Sequence, residues 1–97
     1  MDEFKLFISG ENTRTDTIFK GLEFCLTAVF GNAYTLQKID VIKNPLMAQE
    51  DGIIATPTLV RMNPPMKRVL GDFSDMTKIL ASMDIYLPLN MPDLTKE

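Results

Sequence analysis

Histidine and tryptophan are absent from these 97 residues, and cysteine occurs once, as Cys25. Without histidine the chain lacks the commonest general base and the commonest metal ligand. One thiol completes neither a soft zinc site nor an internal disulfide, and it suits a reducing compartment, so the expected location is cytoplasmic. Glycine-rich phosphate loops of the P-loop or dinucleotide-binding type are missing. The 13 carboxylates are scattered, with no calcium-loop spacing. No metal or cofactor is expected, and the chain is not expected to be an enzyme. No apolar run approaches the ~18 residues of a membrane span, and no charged-then-apolar leader precedes the first strand. A net charge of −3 offers no general attraction to nucleic acid or to an anionic membrane.

What is present reads as one folded domain over residues 1–97: 45% of residues are apolar and 24% charged, ordinary values for a globular chain. Phe4, Leu6 and Ile8 alternate with Lys5, Phe7 and Ser9, which predicts a strand with one strongly apolar face. Asn12 and Thr13 offer cap oxygens, and Ile18, Leu22, Cys25, Leu26 and Val29 follow at helical spacing until Gly31-Asn32 stops the helix. Tyr34 to Ile42 predicts a second strand covered on both faces, parallel to the first because a helix joins them. Asn44-Pro45 opens a short helix, with asparagine as its cap and proline in its first position, and Gly52 closes it.

The stretch ATPTLVRMNPP, residues 55–65, then sets a proline directly ahead of an apolar run. Proline donates nothing to a ladder, so it belongs at the mouth of a strand, where the cis isomer costs only roughly 0.5–1 kcal/mol. Thr58 to Met62 and Met66 to Leu70 predict an antiparallel hairpin across Asn63-Pro64-Pro65. Ser74 is the expected cap of a last helix carrying Ile79, Leu80 and Met83. Pro88 and Pro92 predict a frayed tail over residues 88–97. The order βαβαββα is that of a thioredoxin-like α/β fold: a four-stranded mixed sheet in the order 2-1-3-4, helices on both faces, and a cis bond before Pro57. Thioredoxin-like enzymes place reactive cysteines between the first strand and first helix. Here Gly10 to Thr15 holds none, and Cys25 falls on the apolar stripe of the helix, as a buried hydrophobe rather than a reactive thiol.

Three blocks carry a further resemblance. Ile39-Asp40-Val41-Ile42-Lys43-Asn44-Pro45, Ala55-Thr56-Pro57-Thr58-Leu59 and Pro64-Pro65-Met66-Lys67-Arg68-Val69-Leu70-Gly71-Asp72 resemble the successive signature blocks of the KaiB family of circadian clock proteins. Lys5 to Gly10 is similar to the family's opening block, and the resemblance covers most of residues 4–86. It implies a non-enzymatic adaptor whose partner is the hexameric ATPase KaiC, and then a sensor kinase such as SasA, which has a related N-terminal domain. It also implies fold switching between a thioredoxin-like monomer and a tetramer ordered βαββααβ, with the monomer expected here. Partner contacts implied by the family fall on Lys43, Lys67 and Arg68, which otherwise read as ordinary solvated charges. Thr17, Gln37 and Gly52 stand where the family usually carries basic residues, and one proline of its triple run is missing. A second reading remains open: a redox-inactive thioredoxin-fold module for an unrelated protein, or for a small thiol held beside Pro57. A KaiC-type gene nearby would favour the first reading, and thermal stabilisation by glutathione the second.

Overall fold

A computed structural model describes residues 1–88, and around its central strand the other elements are arranged. That strand, β1 (Asp2–Ile8), is followed by α1 (Thr13–Phe30), β2 (Tyr34–Asp40), α2 (Pro45–Glu50), β3 (Thr58–Arg61), β4 (Lys67–Leu70) and α3 (Met76–Ala81). The sheet order is β2-β1-β3-β4. β1 runs parallel to β2, while β3 is antiparallel to both β1 and β4. The mixed thioredoxin-like sheet expected from the element order is therefore present. The expected frayed tail lies, beyond Pro88, outside the described residues.

Two cores of unequal size flank the sheet. On one face Phe4, Leu6 and Ile8 pack with Ile18, Leu22, Cys25 and Leu26 of α1 and with Ile79, Leu80 and Met83 at the C-terminal end. On the other, Phe7, Ile39 and Val60 pack under Ala48 of α2. Phe7 is fully buried, so β1 has two apolar faces rather than the one expected from its alternation. The reason is position: a strand with a neighbour on each side and a helix over each face has no solvent side.

β2 departs from expectation in the opposite sense. It is an edge strand, and Thr35 and Gln37 are exposed because the six residues of α2 are too short to cover its start. It also stops at Asp40 instead of Ile42. The Asp40 carboxylate accepts from the Gly10 and Ile42 backbone N–H groups, at 3.1 and 2.9 Å, and turns the chain away from the ladder.

The caps explain where the helices start. Asn12 Oδ1 accepts from Thr15 N–H and Thr15 Oγ1 accepts from Asn12 N–H, both at 2.9 Å, closing a reciprocal box at the mouth of α1. Asn44 makes no such bond; its Nδ2 donates back to the Asp40 carbonyl at 3.2 Å, so α2 starts on Pro45 alone. Asp75, not Ser74, caps α3 by accepting from Lys78 N–H at 3.1 Å. Ser74 is spent one step earlier, its N–H donating to Asp72 Oδ1 in the preceding turn. Gly21 has a packing role that offsets its poor helix propensity: a Cβ there would stand 3.1 Å from Met76 Cε, where α3 crosses α1.

Arg61 fastens the two ends of the described chain together. Its guanidinium lies beside the paired Phe4 and Phe30 rings, 5.9 and 5.8 Å from their centroids, and donates to Asp2 and to the Met83 carbonyl. Ile85, just beyond, is buried in the larger core.

The two asparagines give a direct test. Asn12→Ala is expected to lower unfolding free energy by about 1 kcal/mol, the usual loss on removing a working cap. Asn44→Ala should stay within about 0.5 kcal/mol, as for an ordinary surface change. Urea titrations of both variants check the contrast, and equal losses would refute it.

Candidate partner-binding surface

In a thioredoxin-like fold, redox chemistry belongs where the β1–α1 turn faces the loop entering β3. Here those segments enclose a cleft of about 180 Å³ lined by Ser9, Asn12, Arg14, Thr15, Thr56 and Pro57 over Ile8 and Ile18. The Thr56–Pro57 bond is cis, as is Pro64–Pro65. Thr58 Oγ1 donates to the Ala55 carbonyl at 2.7 Å and holds the turn around Pro57 closed. The cleft contains no thiol, and Asn12 and Thr15 are committed to capping α1. Ser9, which lies one residue before the cysteine-free stretch, also lines it, but no imidazole exists in the chain to activate its hydroxyl. Cys25 is fully buried, and that burial pushes its thiol pKa up, away from the reactive thiolate. Among the described residues no group of three or more His, Cys, Asp or Glu side chains could hold a metal ion.

The three basic residues singled out from the sequence do not form one cluster. Lys43 lies in the turn after β2, whereas Lys67 and Arg68 lie on β4 at the opposite edge, about 14 Å away if strands are spaced at the usual 4.8 Å. Lys67 and Arg68 are themselves separated, because successive strand residues point to opposite faces. Lys67 points to the α1/α3 side and pairs with Asp84, whose carboxyl pKa is lowered first by that hydrogen bond and then by the charge. Arg68 points to the α2 side, where its Nη1 donates to the Gly52 carbonyl at 2.9 Å and its Nη2 lies 3.5 Å from Met66 Sδ.

Other features escaped the sequence reading. Lys38 bridges Glu11 at 2.7 Å and lies 5.0 Å from the Phe19 ring centroid. The Glu11 pKa is lowered by the Lys38 hydrogen bond, then by its charge, with a smaller contribution from Lys43. Lys43 therefore belongs to a mixed-sign corner. Beside Arg68, Ile54 is 94% exposed, Leu70 50% and Met66 48%. For Met66 and Leu70 the usable signal was the alternation running into β4, Met66, Arg68 and Leu70 against Lys67 and Val69, with Met66 one residue ahead of the strand.

Fold and cleft together define a thioredoxin-like protein whose first turn lacks the reactive cysteines. Solved structures agree on the fold: the N-terminal domain of Synechococcus elongatus SasA matches with a TM-score of 0.68 at 25% identity, over 84% of this chain and 77% of that one. Thioredoxin 1 of Thermosipho africanus matches with a TM-score of 0.66 over 84% of this chain and 90% of that one, and at 14% identity it speaks for the fold alone. The KaiB domain model matches residues 5–85. The circadian clock oscillator protein KaiB of Synechococcus elongatus is 42% identical over 82 residues, which span 84% of this chain and 80% of that protein. The chain belongs to the KaiB family. No helix among the described residues is long and apolar enough to cross a membrane.

Burial of the only thiol makes a prediction. Iodoacetamide at pH 8 should label Cys25 far more slowly in the folded protein than in denaturant, and the protein should not reduce insulin disulfides. Rapid native-state labelling, or turnover abolished by Cys25→Ala, would show that the thiol is available after all.

Proposed function

We propose that this chain is a non-enzymatic adaptor of the KaiB type, acting in the cytoplasm by binding a KaiC-type ATPase hexamer and a SasA-like sensor kinase. The observation that carries this reading is the KaiB match over residues 5–85 on a thioredoxin-like fold with no cysteine from Gly10 to Thr15. A family member in this fold, with no nucleophile–base pair in its cleft, has surface rather than chemistry to offer. The chain acts as a monomer in this state. Fold switching to a tetramer ordered βαββααβ is part of the proposal, and the short α3 supports it, since six helical residues leave little helix to dismantle. Conversion would recruit the segment from Ala81 to Leu87 as a strand.

Lys43, Lys67 and Arg68 are proposed as the partner-facing cations. Their separation over two edges and two faces of the sheet suits long-range attraction better than one compact salt-bridge site, and such charges act mainly on association rate.

Binding to KaiC-type hexamers from the same organism tests the reading. Titration at low salt should give a saturable complex with a salt-dependent association rate. Reversing Lys43, Lys67 and Arg68 to glutamate together should slow association without unfolding the chain. No complex with the unaltered chain would remove the adaptor reading, and unchanged kinetics in the triple variant would remove the three residues.

Backbone chemical shifts with light scattering test the conformational part. Helical shifts over 76–81 in a monomer are expected for the resting chain. Strand shifts between 81 and 87 in a tetramer would show that the other arrangement is the resting one.

A further inference from the structure

The α1/α3 side of the molecule is well filled beneath the helices and hollow between them. Thr17, Gly21 and Phe24 follow one another at spacings of four and three, so they form a line along α1. That line runs just outside Ile18, Leu22 and Cys25, which enter the core. α3 meets it at Gly21, where an added Cβ would stand 3.1 Å from Met76 Cε. With no side chain there, a recess of about 350 Å³ stays open, lined by Thr17, Lys20, Gly21, Phe24, Phe73 and Met76. Phe73 and Met76 are buried and make its floor, whereas Phe24 is 50% exposed at its wall.

The lining is apolar but for Thr17 and Lys20, and Lys20 carries its only charge. The Thr17 hydroxyl is engaged, donating to the Thr13 carbonyl at 3.0 Å. The Lys20 ammonium differs: among the described residues no carboxylate forms an ion pair with it, Asp16 and Glu23 one turn to either side included. Lys5, Lys38, Arg61 and Lys67 each have such a partner. Past Thr17 and Phe73 an adjoining hollow of about 290 Å³ holds Arg14 together with Asp72, whose carboxylate would repel an anion. Negative charge is therefore favoured at Lys20. Two phenyl rings and a thioether suit a flat aromatic body, through ring–ring and sulfur–ring contacts. The volume falls in the range of small-molecule sites, roughly 300–1,000 Å³. A protein partner would need roughly 800 Å² around an apolar centre, and the neighbouring α1 positions Asp16, Glu23 and Thr27 are exposed and polar.

We propose that this recess binds a small aromatic monocarboxylate, its rings held between Phe24 and the Phe73–Met76 floor and its carboxylate paired with Lys20. The site shares no residue with the proposed partner-facing cations, and it goes beyond the adaptor reading without depending on it. Because the recess exists only while α3 is seated on α1, the ligand stabilises that contact by mass action. A small molecule thereby gains a hold on the packing of the C-terminal half.

The probe is naphthoate, titrated into the isotope-labelled full chain and followed by amide chemical shifts. The amides of Thr17, Gly21, Phe24 and Met76 should move along one saturable curve, and the thermal midpoint should rise with ligand concentration. Naphthylmethanol, the same rings without the charge, should bind about fivefold more weakly, and Lys20→Gln should lose about as much for naphthoate. Phe24→Ser should lose about tenfold. Circular dichroism reports on each variant, and Phe24→Leu is the milder replacement if serine disturbs folding. No saturable shifts, or affinities that the Lys20 and Phe24 variants leave unchanged, would overturn the site and leave the adaptor reading intact. Equal affinity for the alcohol would overturn the carboxylate assignment. Three other results would give the recess to another occupant and overturn the proposal. A dimer of this chain dissolved by Phe24→Ser would point to a second copy, and loss of a KaiC-type complex in that variant to a protein partner. Contacts between residues 89–97 and the Phe24 ring in the ligand-free chain would point to the chain's own terminus.

Discussion

The burial of β1 on both faces is the constraint on which the other elements depend. Phe4, Leu6, Phe7 and Ile8 are all inaccessible to water, and the strand has a ladder partner along each edge. A strand in that position cannot be satisfied by one neighbour or one helix. It requires β2 and β3 to complete its hydrogen bonds and a helix over each face to remove its side chains from solvent. β4 is then the hairpin return of β3 and takes the remaining edge.

Unequal helix lengths translate this plan into an asymmetry of cover. α1, with 18 residues, seals its face along most of the sheet, and the α3 region completes the cover. α2, with six, covers only the middle of the other face. The uncovered parts are Thr35 and Gln37 on β2, which are polar, and Arg68 and Leu70 on β4 with Met66 just ahead of it, a row that is largely apolar. The exposed apolar side chains of this part of the fold thus gather at a sheet edge, away from the cleft beside Pro57.

Much of this was legible in the residues, because the governing signals are local. Strand alternation, the box built on Asn12, the glycine stop at Gly31 and the proline ahead of Thr58 depend on neighbours within a few positions. The errors came where a local signal competed with a tertiary one. Asn44 has the right type and place for a cap, yet the Asp40 carbonyl takes its amide. Ser74 lost the capping role to Asp75 because Asp72 engaged its N–H. Phe7 looked like the exposed phase of an alternating strand until its central position in the sheet supplied a second core. The three cations were identifiable by block, but their facing was not. Adjacent positions on β4 diverge by construction, and only the ladder register shows which one looks toward α2.

Arg61 carries a consequence for how the molecule comes apart. Through one side chain, Asp2 of the first strand and Met83 just past α3 share the same anchor, seated against the Phe4 and Phe30 rings. Segments that share an anchor do not open independently; releasing either leaves the guanidinium with half its partners in a partly dry site, which promotes release of the other. The two ends should therefore exchange their backbone hydrogens as a single cooperative unit, and damage at Asp2 would be felt at α3, some eighty positions along the chain.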